Sequence, residues 1–513
     1  MSYSRFKRLI LISAGATGYI LYNFNYPQIQ TVGEPYQILP KASLSDHPNL
    51  NLITKHPTKI GIIGGGISGS ITAKTLIQQG YNVEVLDKNS SFGGLWHNNY
   101  DGSGLQFHHC HYNLPDYSFP PNTPSLPKSP EVTKFIESYV KHFNIQKNFQ
   151  FNTNVLNIKK NNDETWTVCT DKGEKQYDFV ILCTGPYNKP FIPSFKGKEN
   201  YKGTIMHSSE FVNSEKLCKG KKVLVVGSGK SAFDIIGQAN QYGANVSALM
   251  RKAHWFMSPE LSILGINRAV FTASRASGLF LDPFYVEKPS FLLNFSEWYW
   301  RFIESYLKIG LDNNLIPTSK LKQEKLFRGG ARDDIIFKSI LDGQIKVHRG
   351  KVDEFYEQGV ISDGEKIEAD LIIYATGFDR EYFGIKAEED GLWMYRNTLM
   401  PGVKNFAVVG IINTYCNPLY TNIQAVWLAE VLRGRVRLPG DFAMNEDIIR
   451  RKEYTRKVIS GEATISFSWF PYPMIDQMLK DMGLSERRKK NMYSYWADPI
   501  NPADYKEVVT HRV

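Results

Sequence analysis

The 513 residues are 42% hydrophobic and 22% charged, a globular balance that excludes disorder as the main state, and the chain is too long for one core, so two or three domains are expected. A net charge of +10 raises nucleic acid as a partner, but no basic run is interleaved with aromatics as a strand-binding groove needs; nucleic acid is set aside, leaving anionic cofactors or a membrane surface. The five cysteines, Cys110, Cys169, Cys183, Cys218 and Cys416, fit neither a disulfide framework nor a zinc pattern, and the lack of any C-x-x-C excludes a dithiol relay.

At the start of the chain Arg5, Lys7 and Arg8 precede an apolar stretch from Leu9 to Tyr22, and a proline-containing spacer runs from Pro27 to Pro40. As a helix, 14 residues reach about 21 Å against an apolar bilayer core of about 30 Å. Signal peptide, short signal anchor and interfacial helix are the readings this leaves, with a surface helix of the body as the plain alternative. Residues 1–56 are therefore assigned to a targeting or anchoring segment and its linker.

From Lys59 a short apolar strand, a glycine turn, a helix and a second strand follow one another, and the same order returns at Lys221. Two βαβ units place the chain in the α/β class with doubly wound parallel sheets. In the first, Ile60 to Ile63 leads into Gly64-Gly65-Gly66-Ile67-Ser68-Gly69, and the strand Val83 to Leu86 ends at Asp87, eighteen residues past the last glycine. Gly64 permits the tight turn, Gly66 lets backbone N–H groups approach a pyrophosphate, Gly69 lets helix and strand pack closely, and Asp87 is suited to ribose hydroxyls.

Phe149 to Thr170 alternates as a hairpin turning at Lys160 to Glu164, and Phe179 to Cys183 is a buried strand. The second unit reads Val223 to Val226, then Gly227-Ser228-Gly229-Lys230-Ser231-Ala232, with alanine in the third glycine's place. Gly-Lys-Ser is no triphosphate-binding loop, because that motif needs glycine where Leu224 stands. Its second strand, Val246 to Met250, ends in Arg251 and Lys252, which suits the extra phosphate of NADPH better than the free hydroxyl of NADH. Trp255 to Leu321 is aromatic-rich and irregular, a helical insertion over the cleft or facing a membrane; Lys346 to Ala369 is a strand meander, Leu371 to Tyr374 a strand and Thr421 to Leu432 a helix. Arg487 to Lys490 is a solvated helix face.

Several motifs together resemble the flavin-containing monooxygenase family, its plant-like members above all, over roughly Lys59 to Pro439. Gly93-Gly94-Leu95-Trp96 matches the family's flavin-side G-G-x-W, and Tyr201 to Phe211 matches its F-x-G-x-x-x-H-x-x-x-[YF] run around His207, with Tyr for the first Phe. Cys183-Thr184-Gly185 and Ala375-Thr376-Gly377 look like the family's two chain crossings, and Gln424 and Trp427 like its helix whose N-terminus faces the flavin. Phe211-Val212 departs from the Baeyer–Villiger branch. Asp87 stands for the usual Glu, Lys230 for a frequent Asn, and Gln106 for the active-site Asn; Leu105-Gln106, Asp116-Tyr117 and Pro120 resemble the plant-like members.

The resemblance implies FAD and NADPH as cofactors and an NADPH domain inserted into an FAD domain: 57–193 and 346–445 for FAD, 194–345 for NADPH with the insertion 255–321, and an extension from 446 to 513. It implies a flavin hydroperoxide that gives one oxygen of dioxygen to the sulfur or nitrogen of a small molecule, shielded by an aromatic lid such as Trp255 to Trp300. Gly64, Gly66, Gly69, Asp87, Gly94, Leu95, Trp96, Gly227, Gly229, Ser231, Arg251, Thr376, Gly377 and Gln424 are the candidate cofactor residues. Gln106 and His207 are the candidate catalytic ones, with an ordering role between domains favoured for His207. The adjacent His108, His109, Cys110 and His111 lack metal-ligand spacing, and no metal is expected. With the N-terminal segment, the family points to a membrane-associated enzyme of the endoplasmic reticulum, the cytoplasm being the alternative. The competing functions are an uncoupled NADPH oxidase releasing peroxide and a non-catalytic, membrane-tethered nucleotide-binding protein.

Overall fold

The fold is that of a computed structural model, which describes residues 49, 52–53 and 57–510 apart from 258–261, 264–265, 268–273, 276–289, 309–310, 325–329, 380, 387, 389–391, 413 and 459–470. The stretch from Leu9 to Tyr22 lies outside the described residues. The first unit contains β1 (Ile60–Ile63), α1 (Ile67–Gln78), β2 (Val83–Leu86), α2 (Ser129–His142), β3 (Phe149–Gln150) and β4 (Phe179–Leu182). The chain then crosses into a second unit: β5 (Thr204–His207), β6 (Lys222–Val226), α3 (Lys230–Gln241), β7 (Asn245–Met250), α4 (Ser290–Leu307), α5 (Asp334–Leu341), β8 (Ile345–Arg349) and β9 (Leu371–Tyr374). It returns through β10 (Phe406–Val408) and α6 (Asn417–Leu432), and continues into α7 (Asp441–Val458) and α8 (Tyr472–Asp481).

Two five-stranded parallel sheets result, ordered β10-β4-β1-β2-β3 and β8-β7-β6-β9-β5. Their central strands are apolar on both faces because both faces are covered. In β4, Phe179 and Ile181 enter one core while Val180 and Leu182 enter another; in β9, Leu371 and Ile373 face one side and Ile372 and Tyr374 the other. The second doubly wound unit is inserted into the first, as the sequence led us to expect.

Two domain limits move. The return to the first unit was expected at 346, yet β8 and β9 both belong to the second sheet, so the crossing follows Tyr374. Here β9 inserts between β6 and β5, a central position where its continuous apolar run is covered on both faces. Nor is 446–513 an appendage: Ile448, Tyr472, Ile475, Met478 and Val508 are buried in the core of the first unit. Arg487 to Lys490 forms bends between short helices instead of a helix face.

Part of the insertion is described. Trp255 is fully buried against Ile303, Leu307 and Leu321, its Nε1 donating to Ser319 O at 2.8 Å. It anchors α4 and also lines a cavity with Phe233, Met250 and Phe256, while much of the stretch expected to form the lid lies outside the described residues. Trp300 of α4 packs against the first unit's core.

Candidate active site

β1 runs into a turn that only glycine can make. Gly64 has φ 105°, and a Cβ there would lie 2.6 Å from Cys183 O at the first crossing. A Cβ on Gly69 would lie 1.9 Å from Gly64 O, so turn and helix interlock. Gly66 caps α1 with no side chain on the helix's first N–H groups, and such open N–H groups with the helix dipole suit a pyrophosphate. The Gly94-Leu95-Trp96 turn lies against this cap: a Cβ on Gly94 would be 2.8 Å from Gly66 Cα, and Trp96 Nε1 donates to Tyr112 OH at 2.8 Å.

Asp87 is buried, its Oδ2 accepting from Gly65 N at 2.5 Å and its Oδ1 from Asn89 N at 2.7 Å. Burial raises its pKa, and the two N–H bonds oppose that shift. Each oxygen keeps a further lone pair, so the shorter acid can tie the turn together and still accept ribose hydroxyls. Beside the turn, the Thr184 hydroxyl is buried without a partner. An open anion cradle, a carboxylate and an orphan hydroxyl are the donor set that a flavin dinucleotide requires, and the residues fit it.

The second turn repeats the design on β6 and α3. Gly227 has φ 141° and its Cβ would lie 2.3 Å from Ala375 O at the second crossing, while Gly229 caps α3 again without a side chain. Lys230 is ion-paired with Asp234 one turn on, and Tyr100 of the first unit donates to Asp234 Oδ2 at 2.9 Å. Neither Tyr100 nor Asp234 stood out in the sequence, because their link spans 134 residues. Nearby, Ser214 N donates to Asp101 Oδ2 at 2.8 Å and seats the same loop on the second unit. Arg251 is exposed just past the end of β7.

His207 is not placed to act on a substrate. It is buried, its Nε2 is 3.0 Å from Gly377 O and its Nδ1 2.9 Å from Ser209 Oγ, with Glu210 closing a capping box. Burial holds its pKa below the ordinary value. Nε2 is therefore spent on the crossing and Nδ1 on its own turn, which removes His207 from the catalytic candidates. Thr376 donates its hydroxyl to Phe191 O at 2.6 Å and Gly377 O accepts from Phe191 N at 2.9 Å, so these two residues bind the crossing segments together.

Gln424 is also corrected as a direct cofactor ligand. It is fully buried; Nε2 donates to Asn397 O at 2.6 Å and Thr398 Oγ1 at 2.9 Å, while Oε1 accepts from Gly410 N at 3.0 Å. It shapes the turn after β10, where Gly410 has φ 79° and touches Ser68 of α1. Gln106 sits partly buried in a loop whose next residue, Phe107, packs on Tyr415 with ring centres 6.1 Å apart, just ahead of α6. Asp116 pairs with Lys74 of α1 at 2.5 Å, both buried, which fixes the end of this segment. His109 to His111 make one tight turn, with the His111 ring edge-on to Tyr415. Among the described residues no group of three or more His, Cys, Asp or Glu is placed to hold a metal, and no helix is long and apolar enough to cross a membrane.

Two dinucleotide cradles, each locked to one of the two crossings, define a two-domain flavoprotein oxidoreductase. Residues 57–486 match the flavin-binding monooxygenase-like family, and the chain belongs to that family. The match passes Pro439 and takes in α7 and α8, in keeping with their place in the core. The chain is similar to probable flavin-containing monooxygenase 1 of Arabidopsis thaliana, 29% identical over 88% of this chain and 96% of that one. It is also similar to dimethylaniline monooxygenase (N-oxide-forming) 2 of Oryctolagus cuniculus, 29% identical over 79% and 78%. In fold it resembles OTEMO in complex with FAD and NADP, with a TM-score of 0.65 at 18% identity over 83% of this chain and 97% of that one. The S-allyl-L-cysteine S-oxygenase of Allium sativum has a TM-score of 0.57 at 18% identity over 88% and 92%. The protein is a flavin-dependent monooxygenase.

Proposed function

We propose that the first cradle holds FAD, that the second takes NADPH, and that the enzyme oxygenates a sulfur or nitrogen lone pair of a small molecule. The observation that carries this is the pinning of Gly64 against the Cys183 carbonyl and of Gly227 against the Ala375 carbonyl, which sets both cradles on the double crossing where two coenzymes can meet. Bound FAD, reduced by hydride from NADPH, supplies the dioxygen chemistry: one oxygen atom passes to the substrate and the other leaves as water. The protein positions and shields. Asp87 holds ribose, Gly94 to Trp96 and the Thr376-Gly377 crossing border the two coenzymes, and the N-terminus of α6 favours negative charge on the ring. Gln106, backed by Phe107 and Tyr415, orients the substrate and helps keep water out. A family that includes an N-oxide-forming relative, and a fold shared with an S-oxygenase, support a soft nucleophile as substrate.

The test uses the purified flavoprotein. NADPH should bleach its visible flavin band without substrate, and under air a panel of thioethers and tertiary amines should contain one that yields oxide in step with NADPH consumed. A flavin band that NADPH leaves intact sinks the assignment. Because Gln stands at position 106 where the family has Asn, a second reading is an uncoupled NADPH oxidase; one peroxide per NADPH across the whole panel would establish it. The stretch from Leu9 to Tyr22 tethers the enzyme to the endoplasmic reticulum membrane on this reading, so a chain starting at residue 49 should leave the membrane fraction.

A further inference from the structure

The insertion is rooted in the second unit and reaches the first through an arginine. Phe256 at its start and Leu315 near its end are buried in the second unit's core, and Trp255 packs against Ile303, Leu307 and Leu321. Between these roots Ser274 pairs antiparallel with Pro499, and Arg275 reaches α8 of the first unit, where both of its Nη atoms donate to Asp476, Nη2 to Oδ1 at 2.7 Å. The guanidinium carbon stands 4.3 Å from the ring centres of both Tyr472 and Tyr495. The side chains of Arg275 and Asp476 are only 10% and 16% exposed, so this is not one of the solvent-screened pairs that contribute little.

The seat adjoins the wall that backs Gln106. Tyr472 shares the first unit's core with Tyr415 and with Cys416, the residue that caps α6. Burial pushes the Tyr415 and Tyr472 hydroxyls up, and the Arg275 charge opposes that shift at both, so the guanidinium lies within electrostatic reach of the two phenols. Tyr415 in turn packs on Phe107, the neighbour of Gln106, with ring centres 6.1 Å apart. A bidentate pair beside two aromatic faces is satisfied in one geometry only, and shifting it leaves a sheltered carboxylate unpaired.

We propose that Arg275 is a positioning residue that seats the insertion against Tyr472 and the Tyr415-Phe107 wall, so that bulk water is kept from the ring end of the bound flavin. The proposal rests on the reading of the first cradle as the FAD site. With the seat lost, NADPH and one proton reduce dioxygen to hydrogen peroxide, where the sealed enzyme gives one oxygen atom to the substrate and the other to water.

The test uses the FAD-loaded full chain and reads two quantities, the quenching of flavin fluorescence by acrylamide and the peroxide released per NADPH in air. Arg275→Met should raise the quenching constant about twofold or more and the peroxide share about threefold or more, while anaerobic reduction of the flavin by NADPH stays within about twofold. Arg275→Lys keeps the charge, loses the fork and should fall between. Because paired strand residues lie about 5 Å apart at Cα, Ser274→Cys with Pro499→Cys can be closed as a disulfide that holds the seat without Arg275. Added to Arg275→Met, the closed bridge should return both readings toward the wild type, and its reduction should undo the rescue. Unchanged quenching in Arg275→Met overturns the proposal, as does a rise, or a loss of flavin, that the bridge does not reverse. A bridge that fails to close overturns it too, and so does anaerobic reduction slowed in step with the rise in peroxide. If quenching follows the bridge but peroxide accounts for all NADPH in the wild type, the seat stands and the oxygenation reading falls; a wild type that binds no flavin removes both.

Discussion

The two glycine turns share a motif and differ in how tightly the rest of the molecule closes around them. The first is clasped on every side: by the Cys183 carbonyl, by the Gly94 turn against Gly66, by Asp87 on Gly65 N and by Gly410 against Ser68. The second touches the Ala375 carbonyl, but the strand after it ends in the exposed Arg251 and has no acid tied back to the turn. Its contact with the other unit runs through polar side chains, Tyr100 to Asp234 and Asp101 to Ser214 N. A turn clasped from four sides gives way less readily than a polar seam over a partly open cradle, which can separate and re-form. The first suits a coenzyme that stays through many turnovers, and the second one that is exchanged in each.

The largest effect that would test this contrast is at Gly69. Valine there puts a Cβ 1.9 Å from Gly64 O, and the flavin content of purified protein, read from its visible-to-ultraviolet absorbance ratio, should fall below about a tenth of the wild type. Full flavin content would show that the first turn is not a clasp. Gly227→Ala meets the Ala375 carbonyl at 2.3 Å and should weaken NADP⁺ binding about tenfold while the flavin stays bound; equal loss of both coenzymes would mean that the two cradles are one structural unit. A smaller effect, on the seam between them, is expected for His207→Gln, which loses the bond to Gly377 O and about 1 kcal/mol of stability at neutral pH.

His207 also makes the seam sensitive to acid. Burial holds its folded pKa below the unfolded value of about 6.5. Below that value the unfolded chain binds the proton more readily than the folded one, so the contribution of a neutral His207 is complete above about pH 6.5 and is lost as pH falls toward the folded pKa. Urea unfolding between pH 7 and pH 5 should show a steeper loss in the wild type than in His207→Gln. Parallel profiles would remove His207 from the acid response.

Much of the site was legible because dinucleotide binding is written in local sequence. Gly64, Gly66 and Gly69, then Asp87, are spaced by the length of one strand, one helix and one strand, and that geometry needs nothing from elsewhere in the chain. The roles of His207 and Gln424 were less legible for the opposite reason. Each has the residue type of a catalytic or cofactor group, but their partners, Gly377 for His207 and Asn397 and Gly410 for Gln424, come from other segments, and only those partners show that the side chains have nothing left to offer a ligand.

By itself the sequence determined the class of fold, the two cradles and the family, because strand periodicity and glycine spacing are short-range and survive without knowledge of what packs against them. Tertiary structure decided where the second unit ends, that the last residues belong to the first unit's core, and which polar side chains are used up in holding the crossings. Those depend on pairings between residues far apart in the chain, such as β9 inserting between β6 and β5, and a hydrogen bond that spans more than a hundred residues leaves no periodic mark at either end.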